Sequence, residues 1–266
     1  MKRNLQNRVV IITGASAGIG RETALLFARE NCRLVLAARR ESRLKSLAEE
    51  ITHSSVEAVP VCTDVSDRAQ VTQLIQSTVE HFGRLDILVN NAGYGLYAKV
   101  VDTTPEDLRA IFATNFDGAF YAMKAVLPVM RQQNSGHIIN VSSIAGKRGL
   151  PWSGAYCATK FAMNGVTESL RSELIGSGID VSLVLPVSTT TEFFEAAKNT
   201  SDRPSKPIGI VQSARQVAEA IVRCAKNPRS EVLPYPPARI LILMNAISPR
   251  LVDWLGSKLV QRARKE

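Results

Sequence analysis

The 266-residue sequence predicts a doubly wound α/β fold: a mostly parallel sheet of about seven strands, helices on both faces, and a helical extension at the C-terminus. Two observations carry that expectation. Short β-branched runs alternate with amphipathic stretches from Arg8 to Lys226, the pattern left by right-handed crossovers between parallel strands. The first run also ends in a glycine-rich turn, GASAGIG, that opens directly into a helix.

RVVIIT at 8–13 reads as a buried strand, and RETALLFARE at 21–30 has apolar residues at helical spacing. Between them Gly14, Gly18 and Gly20 permit a tight turn and close approach of a phosphate to the backbone. The helix start adds free N–H groups and the positive end of its dipole. The spacing is GxxxGxG, not the GxGxxG of the usual dinucleotide fingerprint. RLVLAA at 33–38 is the second strand and ends at Arg39-Arg40. An acid there would bind a ribose 2′-hydroxyl, whereas an arginine suits a 2′-phosphate. NADP(H) is therefore favoured over NAD(H), with Arg39 as the expected contact and Arg40 read as a solvated residue opening the next helix.

A helix over 41–51 and a strand over 57–62 follow, with Thr63-Asp64-Val65 at the strand's carboxyl end, where open parallel sheets bind ligands. The helix over 67–82 has Ser66 or Asp67 as its cap. The strand 85–90 runs into the amide-rich turn Asn90-Asn91-Ala92-Gly93. Residues 105–130 read as one long helical stretch containing Asn115, whose low helix propensity points to a buried hydrogen-bonding role. A strand over 137–141 closes on Ser142-Ser143, a helix runs to about Ile175, and a strand spans 179–185. The polar, proline-containing stretch 189–211, with Phe193-Phe194 near its start, reads as an irregular mobile lid or substrate loop, bounded at 188–212. A helix over 213–226 and a short strand at 231–233 complete an expected unit of residues 1–237.

The helix after Ser143 carries Tyr156 and Lys160, four apart and so on one face. An ammonium beside a phenol favours the phenolate, so the pair is expected to lower the tyrosine pKa and to serve as a general acid–base on a carbonyl or alcohol. Leu150, Trp152, Phe193 and Phe194 suggest an apolar substrate.

Composition narrows the function classes. Hydrophobic content of 45% and charged content of 21% are those of a globular chain. Four dispersed cysteines without a CxxC pair, and a start lacking a signal-peptide apolar region, lead to an expectation of reduced thiols in the cytoplasm. Three scattered histidines give no metal-ligand cluster, so no metal is expected. The net charge of +9 is neither gathered into a basic block nor interleaved with aromatics, which argues against nucleic acid and suits a phosphate-bearing ligand.

TGASAGIG at 13–20, NNAG at 90–93, Asn115, the serine pair and YCATK at 156–160 occur together in order. That set resembles the short-chain dehydrogenase/reductase family, in its branch of single Rossmann-domain oxidoreductases. The resemblance implies that Tyr156 exchanges a proton with the substrate oxygen and that Lys160 lowers its pKa and binds the nicotinamide ribose. It implies a catalytic serine thirteen residues before the tyrosine, which selects Ser143 over Ser142, and an Asn115 that supports a water in the proton relay. By the same comparison Gly14, Ser16, Gly18, Ile19 and Gly20 line the pyrophosphate and ribose site, Asp64 and Val65 flank adenine, and Asn91 lies near the adenosine ribose. Thr189 and Thr191 occupy positions similar to those that meet the carboxamide. Where the family has Pro-Gly this chain has Pro186-Val187, which brings a side chain to the nicotinamide position. A homodimer or homotetramer is expected. The competing readings are a non-catalytic dinucleotide-binding regulator and an interaction protein acting at a membrane surface.

The last reading comes from residues 238–266, which carry six basic and two acidic residues. ILILMNAI is apolar, and beyond Pro249 a helix would place Leu251, Trp254, Leu255 and Leu259 on one face with basic residues over much of the rest. Packing against the chain itself or a subunit is the default expectation, and peripheral membrane contact the alternative.

Overall fold

The β-branched run Val9–Thr13 (β1) is buried along its whole length and lies in the interior of the sheet. The structure, a computed structural model, describes residues 2–53, 56–201 and 209–263. Beside β1 lie Arg33–Ala38 (β2), Ala58–Cys62 (β3), Ile87–Asn90 (β4), Gly136–Val141 (β5), Ile179–Val184 (β6) and Glu231–Val232 (β7). They form one seven-stranded sheet in the order β7-β6-β5-β4-β1-β2-β3, with every pairing parallel. The chain reverses its direction of travel across the sheet between β1 and β4, and that switch point leaves a crevice outside the strand carboxyl ends.

Successive β1 residues point to opposite faces, as a period of two requires. Val10 and Ile12 join Leu34 and Leu36 beneath Gly18–Arg29 (α1), Glu41–Thr52 (α2) and Ala214–Lys226 (α7), through Phe27, Leu44, Leu47, Val217 and Ile221. Ile11 joins Val35, Leu88 and Ile138 beneath Arg68–Phe82 (α3), Gly118–Gln133 (α5) and Gly154–Glu173 (α6), through Val71, Leu74, Met123, Val126 and Leu170. The helices end where their chemistry says they should. Asp67 caps α3 by accepting from the Ala69 and Gln70 N–H groups, and Gly83, at φ +72°, terminates it in the left-handed region. Ser213 and Gln216 close a capping box on α7.

Three sequence expectations change. The stretch 105–130 is not one continuous helix: α4 (Pro105–Phe112) passes into a π-helical turn at Ala113–Asp117 before α5. The wide turn places Asn115 inward, where its amide serves another segment of backbone. The stretch 189–211 is not irregular throughout: between turns and bends it is pinned by short strand pairings. Ser188–Thr190 pairs in parallel with Val211–Ser213, and Lys198–Asn199 with Leu96–Tyr97. Of the expected lid, residues 202–208 lie outside the described part.

The third concerns the C-terminal piece. It forms two helices, Ala238–Ile247 (α8) and Pro249–Ala263 (α9), rather than folding its apolar side chains away. Arg148 ties them down by hydrogen-bonding Asn245 Oδ1 at 2.5 Å and by pairing with Asp253, and Asn245 donates to the Lys147 carbonyl. Val252 is buried, yet Ile240, Leu243, Ile247 and Trp254 are exposed at 63%, 55%, 84% and 53%. The expected apolar face of Leu251, Trp254 and Leu255 is thus open, and Leu259 lies outside the residues whose side chains are described. Among the described residues no helix is long and apolar enough to cross a membrane.

Candidate active site

At the carboxyl ends of β1, β4, β5 and β6 a cavity of about 870 Å³ opens across the switch point. One wall is the glycine turn after β1. Gly14 and Gly18 have φ of +67° and +54°, conformations that a side chain would strain. A Cβ on Gly18 would lie 2.9 Å from Thr191 Cγ2, so the backbone there is necessarily bare. Helix α1 starts at Ala17–Gly18 without any side-chain cap, which leaves its first N–H groups for another acceptor. A bare turn, an uncapped helix start and arginines beyond β2 fit the pyrophosphate and adenosine phosphates of a dinucleotide. Ser16, Ile19, Asp64, Val65 and Asn91 line the same cavity. Gly20 does not: a Cβ there would meet the Gly14 carbonyl oxygen at 2.3 Å, so it is a packing glycine that lets α1 close on the turn. Asn91 holds the turn in place through Nδ2 to the Thr13 carbonyl at 3.0 Å.

The arginine pair divides unexpectedly. Arg39 is largely open to solvent, with one guanidinium nitrogen 3.9 Å from Asp64 Oδ2. Both arginines line the cavity, and Arg40, expected from sequence to be the solvated one, is held against its wall. Its Nε and Nη2 donate to Ser16 Oγ at 3.1 and 3.0 Å, and its Nη1 meets Glu192 Oε2 at 2.9 Å. Nothing in a run of two arginines distinguishes them; the direction in which the backbone leaves β2 does.

The other wall is built on α6. Tyr156 is half-buried and Lys160 buried, one turn apart on the face toward the cavity. The two serines after β5 point in different directions. Ser142 Oγ is buried and donates to Asn164 Oδ1 at 2.7 Å. Ser143 lines the cavity, its hydroxyl hydrogen-bonds the Tyr156 side chain, and it accepts from the Ala145 N–H at 3.1 Å at the start of a short turn. Lys160 Nζ donates to the Val141 carbonyl at 3.1 Å and stands 5.8 Å from the centre of the tyrosine ring.

The expected lowering of the tyrosine pKa is corrected by this geometry. Burial pushes Tyr156 upward, and the Ser143 hydrogen bond opposes that only in part. Burial brings Lys160 down to about 8, because an enclosed ammonium loses hydration. The phenol is held neutral, ready to donate a proton, and the amine beside it titrates near neutrality.

Asn115 lies behind this wall. Its Oδ1 accepts from the Tyr94 N–H and its Nδ2 donates to the Tyr94 carbonyl, both at 2.9 Å. It therefore satisfies both backbone groups of Tyr94, and a Cβ on Gly93 would fall 3.1 Å from Asn115 Oδ1 and 3.8 Å from Lys160 Nζ. Val187, Thr189 and Thr191 line the cavity floor; Thr189 Oγ1 donates to the Val187 carbonyl at 2.9 Å.

The cavity wall beside Tyr156 is aromatic. Phe193 stands edge-on to Tyr156 with ring centres 5.6 Å apart, and Phe194 packs beside it against Tyr97. Leu150 lines the opening. Trp152 is not among the lining residues; it takes a left-handed φ of +57° and its carbonyl accepts from the Ala98 N–H, so it shapes the edge of the loop before α6. Tyr94, Tyr97 and Glu192 were missed from the sequence, because pairing between separate segments leaves no local pattern.

Comparison with known proteins places this arrangement. The family model described as short chain dehydrogenase matches residues 8–202. The chain is 33% identical over 266 residues to the uncharacterized oxidoreductase YxnA of Bacillus subtilis, covering 98% of this chain and 75% of that one. It is 39% identical over 205 residues to the uncharacterized oxidoreductase SSP1627 of Staphylococcus saprophyticus, covering 76% and 81%. Among solved structures, a short chain dehydrogenase/reductase of Burkholderia phymatum in complex with NAD superposes with a TM-score of 0.85 at 27% identity, over 94% of this chain and 96% of that one. An alcohol dehydrogenase of Thermococcus sibiricus complexed with 5-hydroxy-NADP gives 0.75 at 28%, over 85% and 95%.

Proposed function

The chain belongs to the short-chain dehydrogenase/reductase family, and from that premise we propose that it is an NADP(H)-dependent oxidoreductase interconverting a carbonyl and a secondary alcohol on an apolar substrate. One observation carries the reading: a single cavity joins the bare-backbone turn before α1 to Ser143, Tyr156 and Lys160. When bound, the nicotinamide cofactor supplies or accepts the hydride. In the reducing direction Tyr156, kept protonated by its surroundings, donates to the substrate oxygen. Ser143 steadies that oxygen as charge develops on it. Lys160, with its pKa near 8, restores the phenolic proton. Asn115 keeps Tyr94 and the end of β4 in register with α6, beside the relay. Arg39 and Arg40 on the cavity wall support NADP(H) over NAD(H), and the lining by Leu150, Phe193 and Phe194 supports an apolar substrate.

The test is a panel of ketones and secondary alcohols with NADPH, NADP⁺, NADH and NAD⁺, followed by nicotinamide absorbance. Turnover that is lost in Tyr156→Phe supports the reading. A protein that binds dinucleotide but turns nothing over, or a Tyr156→Phe variant as active as wild type, would favour the regulator. In the same reading residues 1–237 form the catalytic unit and assemble as a homodimer or homotetramer. Exposed Phe120 and Phe161 on α5 and α6 support assembly, and sedimentation velocity measures it.

The open apolar side of α8 and α9 favours a second role for residues 238–266, contact with an anionic bilayer surface. Asp253 is taken up by Arg148, so the remaining charge of the segment is mostly basic. Co-sedimentation with vesicles containing phosphatidylserine, for the full chain and for one ending at residue 237, tests it. Equal sedimentation of the two would sink the idea.

A further inference from the structure

The loop after β6 carries an anion to the arginines beyond β2. Glu192 Oε1 and Oε2 lie 2.6 and 2.7 Å from Arg43 Nη1, and Oε2 also takes Arg40 Nη1 at 2.9 Å. A carboxylate thus bridges two guanidinium groups beside the Ser16 hydroxyl that Arg40 also holds. Two arginines and a serine around one anion are what a phosphate monoester would recruit. The flanking residues extend the contact in both directions. Thr191 presses on Gly18 of the glycine turn, its Oγ1 accepts from the Phe193 N–H at 3.2 Å, and Phe193 stands against Tyr156. Residues 191–193 therefore strap the phosphate end of the cavity to the tyrosine end.

Resting on the dinucleotide reading above, we propose that Glu192 is a specificity-determining residue. It is an internal anion seated on Arg40 and Arg43, and a 2′-phosphorylated adenosine displaces it, loosening the strap that holds Phe193 against Tyr156. A dinucleotide with a free 2′-hydroxyl brings no competing charge and leaves the strap in place. Glu192 consequently weakens 2′-phosphate binding and makes opening over Tyr156 respond to that phosphate.

Adenosine 2′,5′-bisphosphate and 5′-AMP differ by the one group in question. Each is titrated calorimetrically at low salt into wild type and Glu192→Gln, and amide hydrogen exchange is followed over residues 192–197. The glutamate is exposed, so the substitution leaves the fold intact. Loss of two competing exposed ion pairs should tighten the bisphosphate roughly threefold to tenfold in Glu192→Gln and leave 5′-AMP unchanged. In wild type the bisphosphate should speed exchange over 192–197, and 5′-AMP should not. Unchanged or weaker bisphosphate binding in the variant, equal tightening of both nucleotides, or exchange that ignores the 2′-phosphate would each overturn the proposal. NADPH and NADH titrations of wild type separate the layers. If neither binds, the dinucleotide reading fails and the proposal with it; if NADPH binds and the Glu192 results fail, only the latch falls.

Discussion

His137 sits on β5, the strand that delivers Ser142 and Ser143 to the site, and its protonation should govern the acid stability of that scaffold. The ring is buried. Nε2 hydrogen-bonds Ser182 Oγ on β6 at 2.8 Å, whereas Nδ1 has no partner among the described residues. A second ring proton would therefore have no acceptor, and its charge would lie in the core near Arg3. Burial, with Arg3 adding to it, lowers the pKa from the ordinary 6.5 to about 3. The sign follows: the unfolded chain takes up a proton near pH 6.5 that the folded chain refuses until about 3. Stability from this group is present above 6.5 and falls as pH drops through that window. Linkage between those two values gives a loss of about 2 kcal/mol on going from pH 7 to pH 5. Urea unfolding at a series of pH values measures it. His137→Gln keeps a polar partner for Ser182 and cannot titrate, so its stability profile should be flatter by that amount. Parallel profiles for the two proteins over this range would refute the argument.

Three other perturbations reach the site directly. Tyr156→Phe removes the proton donor, and turnover should fall by roughly a hundredfold to ten-thousandfold. Its dinucleotide affinity, measured by calorimetry, should stay close to wild type. Asn115→Ala strips both hydrogen bonds from the Tyr94 backbone and should cost about 2–4 kcal/mol in urea unfolding; a loss under half a kilocalorie would mean that water replaces the amide freely. Gly118→Ala, where α5 begins, would put a Cβ 2.7 Å from the Val65 carbonyl oxygen. Overpacking of that kind costs about 1–3 kcal/mol, and because Val65 lines the cavity, NADPH affinity should weaken as well. Thermal unfolding and NADPH titration read the two effects, and an unchanged melting temperature would show that Val65 yields without strain.

Much of the fold was legible because its signals are local. Alternating β-branched runs and helical spacing placed the strands and helices to within a few residues, since burying a parallel sheet on both faces demands such runs wherever they occur. The glycine turn was legible for a similar reason: Gly14 and Gly18 need positive φ, and that need is written in residue type. Tyr156 and Lys160 could be placed on one face because helical spacing alone decides it.

Where reading failed, the deciding quantity was an environment. The tyrosine shift is expected downward from the neighbouring ammonium, yet burial dominates, and Tyr156 packs with Leu96, Ile111 and Phe193, far apart in the chain. Asn115 was recognised as out of place in a helix, but the π turn that accommodates it depends on the Tyr94 backbone it must satisfy. Arg40 and Glu192 meet across 152 positions. Residue order alone dictates which segments become strands and helices, where the backbone must stay bare, and which residues share a helix face, because these follow from dihedral preference and periodicity. Packing had to settle which arginine seats on Ser16, which carboxylate it meets and which protonation states are favoured, because those depend on distance and desolvation that exist only once remote segments come together.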